Sequence, residues 1–181
     1  HRHQQKEVAV FLGNLKNDLK NDVESIDREV KAYQKTNVDY EKILALTTSQ
    51  LDSIYRSKSK VNFPIHSHGQ TLTVGNYEGF KSSGKLGYIE DEKLKQKILN
   101  YYQIYVPAAN EVDKMYTEFL FKCFDKEIEN ADKPEKELYS DPKYKKTLAY
   151  LVKLGKNNIR VYKENTKPLA IELIKEIEKE L

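Results

Sequence analysis

The sequence predicts an all-α protein, and three observations carry that expectation. Apolar residues recur at steps of three and four along most of the 181 residues, which is the spacing of one face of a helix. Hydrophobic residues make up 39% and charged residues 33% of the chain, the pairing expected of helices with one apolar stripe and wide solvated faces. Only seven Gly and five Pro are present, too few for the many turns that sandwiches and barrels need.

The first stripe runs through Val8, Phe11, Leu12, Leu15, Leu19, Val23, Ile26, Val30 and Tyr33. Its register continues through Tyr40, Leu44, Leu51 and Ile54, with Asn37 and Thr47 as its polar members. At Thr36-Asn37 neither Gly nor Pro is present to force a break, so one long helix from about Gln5 to about Arg56 is expected, with Asn37 as the place for a kink. Periodicity stops over 57–90, where Pro64, Gly69, Gly75, Gly79, Gly84 and Gly87 fall. Within this irregular connection a short helix is expected over Gly75–Ser83, with Gly84 as its left-handed C-terminal cap.

Asp91 is placed to cap the next helix, whose stripe is Leu94, Ile98, Tyr101, Tyr102, Tyr105, Ala109, Val112, Tyr116, Phe119, Leu120 and Cys123. Pro107 lies inside it and is expected to kink or break it, because proline cannot donate to the carbonyl four residues back. Residues 131–139 read as a charged connector. Ser140-Asp141-Pro142 then opens the last helix, which carries Tyr144, Leu148, Leu151, Ile159, Tyr162, Leu169, Leu173 and Ile177, and Pro168, again mid-pattern, is expected to bend or divide it. The expected architecture is a single domain of residues 1–181, an elongated bundle of three long helices plus one short helix. Leu15, Leu19, Ile98, Phe119, Leu148 and Leu151 are expected in its core.

Thirty-one basic and 28 acidic residues leave a net charge of +3. The basic stretch from Lys143 to Lys167 is spread along a helix beside apolar residues rather than clustered, so no nucleic-acid partner is expected. One cysteine excludes a disulfide scaffold. No run approaches the roughly 18 apolar residues of a membrane span. The chain opens His1-Arg2-His3, without an initiator methionine or a signal-peptide pattern, and is expected to be a trimmed or processed piece.

The sequence carries few chemical motifs. Gly79-Phe80-Lys81-Ser82-Ser83-Gly84-Lys85-Leu86 resembles a phosphate-cradling loop, but Leu86 lacks the hydroxyl that holds magnesium and no strand precedes the loop. His66-Ser67-His68 offers two imidazoles where a zinc site needs three or four ligands. Cys123 shares its stripe with Phe119 and Leu120, as a buried structural thiol would. No catalytic residue, metal ligand or cofactor is assigned. Thirteen Tyr and no Trp are more informative. Their plain role is to pack the bundle with hydroxyls at its rim. The alternative is a ligand pocket where the segment Gly75–Tyr88 meets the helix before Pro107, formed by Lys81, Lys85, Tyr88, Tyr101, Tyr102 and Tyr105, with the two lysines favouring anions.

The helix Glu7-Val8-Ala9-Val10-Phe11-Leu12-Gly13-Asn14-Leu15-Lys16-Asn17-Asp18-Leu19, the turn Phe80-Lys81-Ser82-Ser83-Gly84-Lys85-Leu86-Gly87-Tyr88-Ile89 and the stretch Leu94 through Tyr102 together resemble an uncharacterised family of small bacterial envelope proteins. The resemblance implies a single membrane span just upstream of the first helix and a helical domain outside the cytoplasmic membrane. It implies no activity. The expected function is non-enzymatic binding of a protein or small-molecule partner. The alternatives are an assembly role through a helix face, for instance as a homo-oligomer, and a metal-dependent enzyme using the 57–90 loop.

Overall fold

The computed structural model describes residues 1–65 and 72–181, and within them the fold is all-α, as the periodicity predicts. The helices are α1 (Arg2–Leu44), α2 (Thr48–Arg56), α3 (Gly75–Ser82), α4 (Glu92–Asn100), α5 (Val106–Glu129), α6 (Glu135–Ser140), α7 (Pro142–Arg160) and α8 (Lys167–Glu180). A 3₁₀ turn, Lys85–Tyr88, follows α3. One π-helical segment, Tyr101–Tyr105, joins α4 to α5, and another, Val161–Thr166, joins α7 to α8.

Local chemistry explains several of the boundaries. Helix α1 runs through Asn37 without interruption and stops at Leu44, so the single helix expected over Gln5–Arg56 is two. Thr47 forces the restart. Its hydroxyl accepts from the Gln50 N–H at 3.2 Å, and the Gln50 side chain accepts from the Thr47 N–H at 2.9 Å, a reciprocal capping box. Asp91 caps α4 by accepting from the N–H groups of Lys93 and Leu94. Asp141 accepts from the Lys143 N–H, and α7 begins at Pro142, where proline has no intrahelical bond to lose. Gly84, at φ 73°, supplies the left-handed residue that ends α3. The connector expected over 131–139 contains α6, in which Leu138 and Tyr139 are buried.

The prolines neither end nor sever their helical runs. Pro107 and Pro168 each stand two residues beyond a π-helical segment, where the Val106 N–H reaches back to the Tyr101 carbonyl and the Lys167 N–H to the Tyr162 carbonyl. Widening the turn from four to five residues moves the preceding carbonyls away from the proline ring.

The chain divides into two compact units. The first comprises His1–Val30, Gln70–Glu111 and Arg160–Leu181. Its core brings Phe11, Leu12, Leu15 and Leu19 of α1 together with Tyr77 of α3, Leu94 and Ile98 of α4, and Leu173 and Ile177 of α8. Lys97 of α4 pairs with Glu172 and Glu176 of α8 at its surface.

The second unit comprises Lys31–Gly69 and Val112–Ile159. It buries Tyr40, Leu51, Tyr116, Leu120, Tyr144, Leu148 and Leu151. Phe119, expected in the core, is half-buried and lies against Tyr150. A polar ladder crosses this unit. The Tyr33 hydroxyl donates to Asp113 at 2.7 Å, and the Asn158 amide donates to the Tyr33 oxygen at 2.9 Å and to the Val112 carbonyl at 3.0 Å. Asn37 is buried against the bare backbone of Gly155, so close that a Cβ there would lie 2.4 Å from its Oδ1.

Candidate functional site

In the first unit, α3 turns two different faces to its surroundings. Tyr77 points inward, fully buried, and stacks on Tyr102 at 4.4 Å between ring centroids. The Gln103 amide donates to the Tyr77 hydroxyl at 2.8 Å. Two carboxylates of α1, one turn apart, hold the start of α3. Asp18 accepts from the Asn76 amide at 2.7 Å, and Asp22 accepts from the Thr73 N–H and the Tyr101 hydroxyl, each at 2.8 Å. Asp22 is wholly inaccessible to solvent. Burial pushes its carboxyl up to about 6, against the pull of its two hydrogen bonds.

The other face carries Gly75 and Gly79, four residues apart and open to solvent. A Cβ built at either meets nothing within 4 Å. Together with the N-terminal turns of α1 this face forms a groove of about 480 Å³. Phe11 and Phe80 line it, stacked on each other at 3.9 Å with planes 4° apart. Val10 adds an exposed apolar side chain, and Asn14, Asn76 and Ser83 supply polar groups.

At one end Lys85 donates to Glu7 at 2.7 Å. That hydrogen bond holds the Glu7 carboxyl below the usual carboxylate range and raises the Lys85 ammonium. The groove therefore offers an apolar lining, amide and hydroxyl partners, accessible backbone and a self-neutralised ion pair.

The six residues expected to form a ligand pocket do not share one hollow. Lys85 stands at the groove. Lys81 is exposed, pairs with Glu78 at 3.6 Å and lies 5.7 Å from the centre of the Tyr77 ring. Tyr88 lines a separate hollow of about 260 Å³ with Gln5, Val8 and Leu12. Tyr101 and Tyr102 are buried, and Tyr105 is half-buried. The segment Gly75–Tyr88 does meet the tyrosine-rich helix, through Tyr77 on Tyr102, but as a filled contact rather than a cavity. Sequence reasoning missed Phe11, Asn14 and Phe80 as groove residues, and Asp18 and Asp22 as the anchors of α3. The steps from Leu15 to Asp18, Asp22 and Ile26 are three, four and four, so the two acids stand on the apolar stripe itself.

The other candidates resolve plainly. Cys123 is buried, and burial pushes its thiol up to about 12. The phosphate-loop lookalike is the end of α3, Gly84 and the 3₁₀ turn. His66 and His68 lie outside the described residues. No group of three or more His, Cys, Asp or Glu is placed to hold a metal ion among the described residues. No helix among them is long and apolar enough to cross a membrane. A larger hollow of about 730 Å³ in the second unit is lined by Asp52, Arg56, Lys60, Glu135 and Lys136, with Lys136 bonded to Asp52 at 2.9 Å.

No curated protein and no solved structure matches the chain. A family of unknown function, DUF6090, matches residues 1–131, a span that contains the whole groove and both anchoring aspartates. The match covers well over half of the sequence, and the chain belongs to that family.

Proposed function

We propose that this chain is a non-enzymatic helical binding domain that seats a small molecule or a short apolar segment of a protein partner in the groove between α1 and α3. The observation that carries the reading is the open glycine face of α3. Glycine inside a helix costs about 0.5–1 kcal/mol relative to alanine. Gly79 stands in the middle of α3 with free space where a Cβ would go, so packing within the chain does not demand it. A ligand approaching the backbone would. The groove volume falls among ligand pockets, which run from about 300 to 1,000 Å³ and combine apolar walls with a few placed polar groups.

The strongly perturbed titratable groups of the first unit, Asp22, Tyr101 and Tyr102, are buried away from the groove, and its own charges neutralise each other. That distribution favours binding over acid–base chemistry. The likeness to bacterial envelope proteins supports placing the domain outside the cytoplasmic membrane, held there by a span upstream of α1.

A thermal-shift screen run on the natural chain and on Gly79→Leu tests the proposal. A Cβ at 79 has free space, and the rest of a leucine side chain extends into the groove. Ligands that stabilise the natural chain and not the variant support the reading. Ligands that stabilise both equally, or a screen without ligands, overturn it.

An assembly role through a helix face is the second reading. Phe121 and Ile128, seven residues apart on α5, are 58% and 73% exposed, and Phe121 adjoins Phe124 at 6.2 Å. A light-scattering mass above that of the 21.2 kDa monomer, restored to it by Phe121→Glu, would favour it.

A further inference from the structure

Helix α7 of the second unit carries a charge pattern that its own fold uses only in part. The chain has 28 acidic residues in 181, yet Pro142–Arg160 contains none. Over the same span stand Lys143, Lys145, Lys146, Lys153 and Lys156, with Arg160 at its end. Tyr144, Leu148, Leu151, Val152 and Gly155 turn inward, so Lys143, Lys146, Ala149, Tyr150, Lys153 and Lys156 are left exposed. Two of the cations are engaged: Lys156 pairs with Glu41 at 2.6 Å, and Lys145 reaches the Leu46 carbonyl at 3.2 Å. Lys143, Lys146 and Lys153 form no ion pair among the described residues, and neither does Lys122 of α5.

The same face carries aromatic and apolar tips. Tyr150, 40% exposed, lies 4.6 Å from Phe119 of α5. The Lys122 ammonium stands 4.0 Å over the Phe119 ring, and that of Lys153 stands 6.0 Å over the Tyr150 ring. Met115, also 40% exposed, precedes Phe119 by one turn.

We propose that this face of α7 and α5 docks on an anionic membrane surface. Lysines without carboxylate partners are spread along a helix face, from Lys143 to Lys153 about 15 Å at 1.5 Å per residue. They meet a diffuse layer of negative headgroups better than a fixed constellation of acceptors. Lysine is a hydrated point charge on a flexible stem, and arginine, which would favour bidentate phosphate recognition, is absent from Lys143 to Lys156. Tyr, Phe and Met between the cations suit the boundary between headgroups and acyl chains, where amphipathic rings settle. An acidic protein segment would satisfy the charges but has no need of that apolar fringe.

Co-sedimentation with vesicles of equal parts phosphatidylglycerol and phosphatidylcholine, against pure phosphatidylcholine, tests the proposal. The chain is expected to sediment with the anionic vesicles only, and to be released as added salt shortens the screening length. Lys146→Glu combined with Lys153→Glu should lower partitioning by about twenty-five-fold or more, at about fivefold for each lysine lost from an anionic surface. Tyr150→Ser should lower it further, whereas Lys31→Glu with Lys35→Glu, exposed positions on α1 of the same unit, should leave it close to the natural value. Circular dichroism of each variant establishes that it is folded. Failure to sediment with anionic vesicles, or equal binding by the α7 reversal variant, overturns the proposal. So does binding to soluble polyglutamate or to nucleic acid in place of vesicles, which would assign the face to an acidic polymer instead.

Discussion

Asp22 offers a quantitative test of how the first unit is held together. Its carboxyl, ordinarily near 3.8, is pushed up to about 6 because it is fully buried, and the neighbouring Asp18 adds to the rise. A shift of two units corresponds to about 3 kcal/mol between the two protonation states. The sign follows from linkage: the folded state binds the proton more tightly than the unfolded chain does, so ionisation weakens the fold. The contribution is complete below about pH 4, falls as the pH rises through about 6 and is spent above about 7.

Asp22→Asn keeps the shape and stays neutral. Its Oδ1 still accepts from the Thr73 N–H, and its amide faces the Tyr101 oxygen. Urea unfolding at pH 4.5, 6 and 8 on both proteins isolates the group, because Glu7, Asp52 and Glu127 titrate in each. The variant is expected to gain on the natural protein as the pH rises, by about 2 kcal/mol between pH 4.5 and pH 8. A difference that does not change with pH, or a variant less stable at pH 8 than at pH 4.5 relative to the natural chain, would refute the reasoning.

Three further outcomes follow from single contacts. Gly155→Ala should cost about 1–3 kcal/mol by driving a Cβ into Asn37, yet be neutral or mildly stabilising once Asn37→Ala has made room; chemical denaturation of the four proteins of that cycle checks the coupling. Gly79→Ala should raise stability by about 0.5–1 kcal/mol, since its Cβ meets open space; a lower melting temperature would mean that the glycine serves the fold. Cys123 should resist a thiol reagent in the native protein and react only on unfolding, because it is buried and its thiol is pushed up to about 12; rapid native labelling would contradict that placement.

The helical fold was legible because it rests on long-range repetition. The stripe from Val8 to Tyr33 and the one from Leu94 to Cys123 each report a face over many turns, and isolated polar residues do not erase it. Short signals were harder to weigh. Thr47-Thr48-Ser49-Gln50 spells a capping box, but it lies in register with a stripe that runs on to Ile54, so continuity masked the stop. Helix α6 has six residues and too few turns to show a period.

Pro107 and Pro168 were readable as perturbations, but their accommodation by a preceding π segment depends on how the neighbouring carbonyls settle in three dimensions. The candidate groove was half legible. Gly75, Gly79 and Lys85 lay in a region marked by its glycines, whereas Phe11 read only as core and its stacking on Phe80 joins residues 69 apart in sequence. Asp18 and Asp22 were passed over because acids between apolar residues usually face solvent. Their burial is decided by donors from Thr73, Asn76 and Tyr101, which no local pattern announces.

The central claim is that the glycine face of α3 is kept open for something outside the chain. Amide chemical-shift mapping during titration with a ligand found by thermal shift tests it most directly, because the backbone N–H groups of that face are themselves the reporters. The largest changes are expected at Gly75, Asn76, Gly79 and Phe80, with smaller ones at Val10, Phe11 and Asn14. Changes confined to the second unit, or spread evenly with none concentrated on α3, would contradict it.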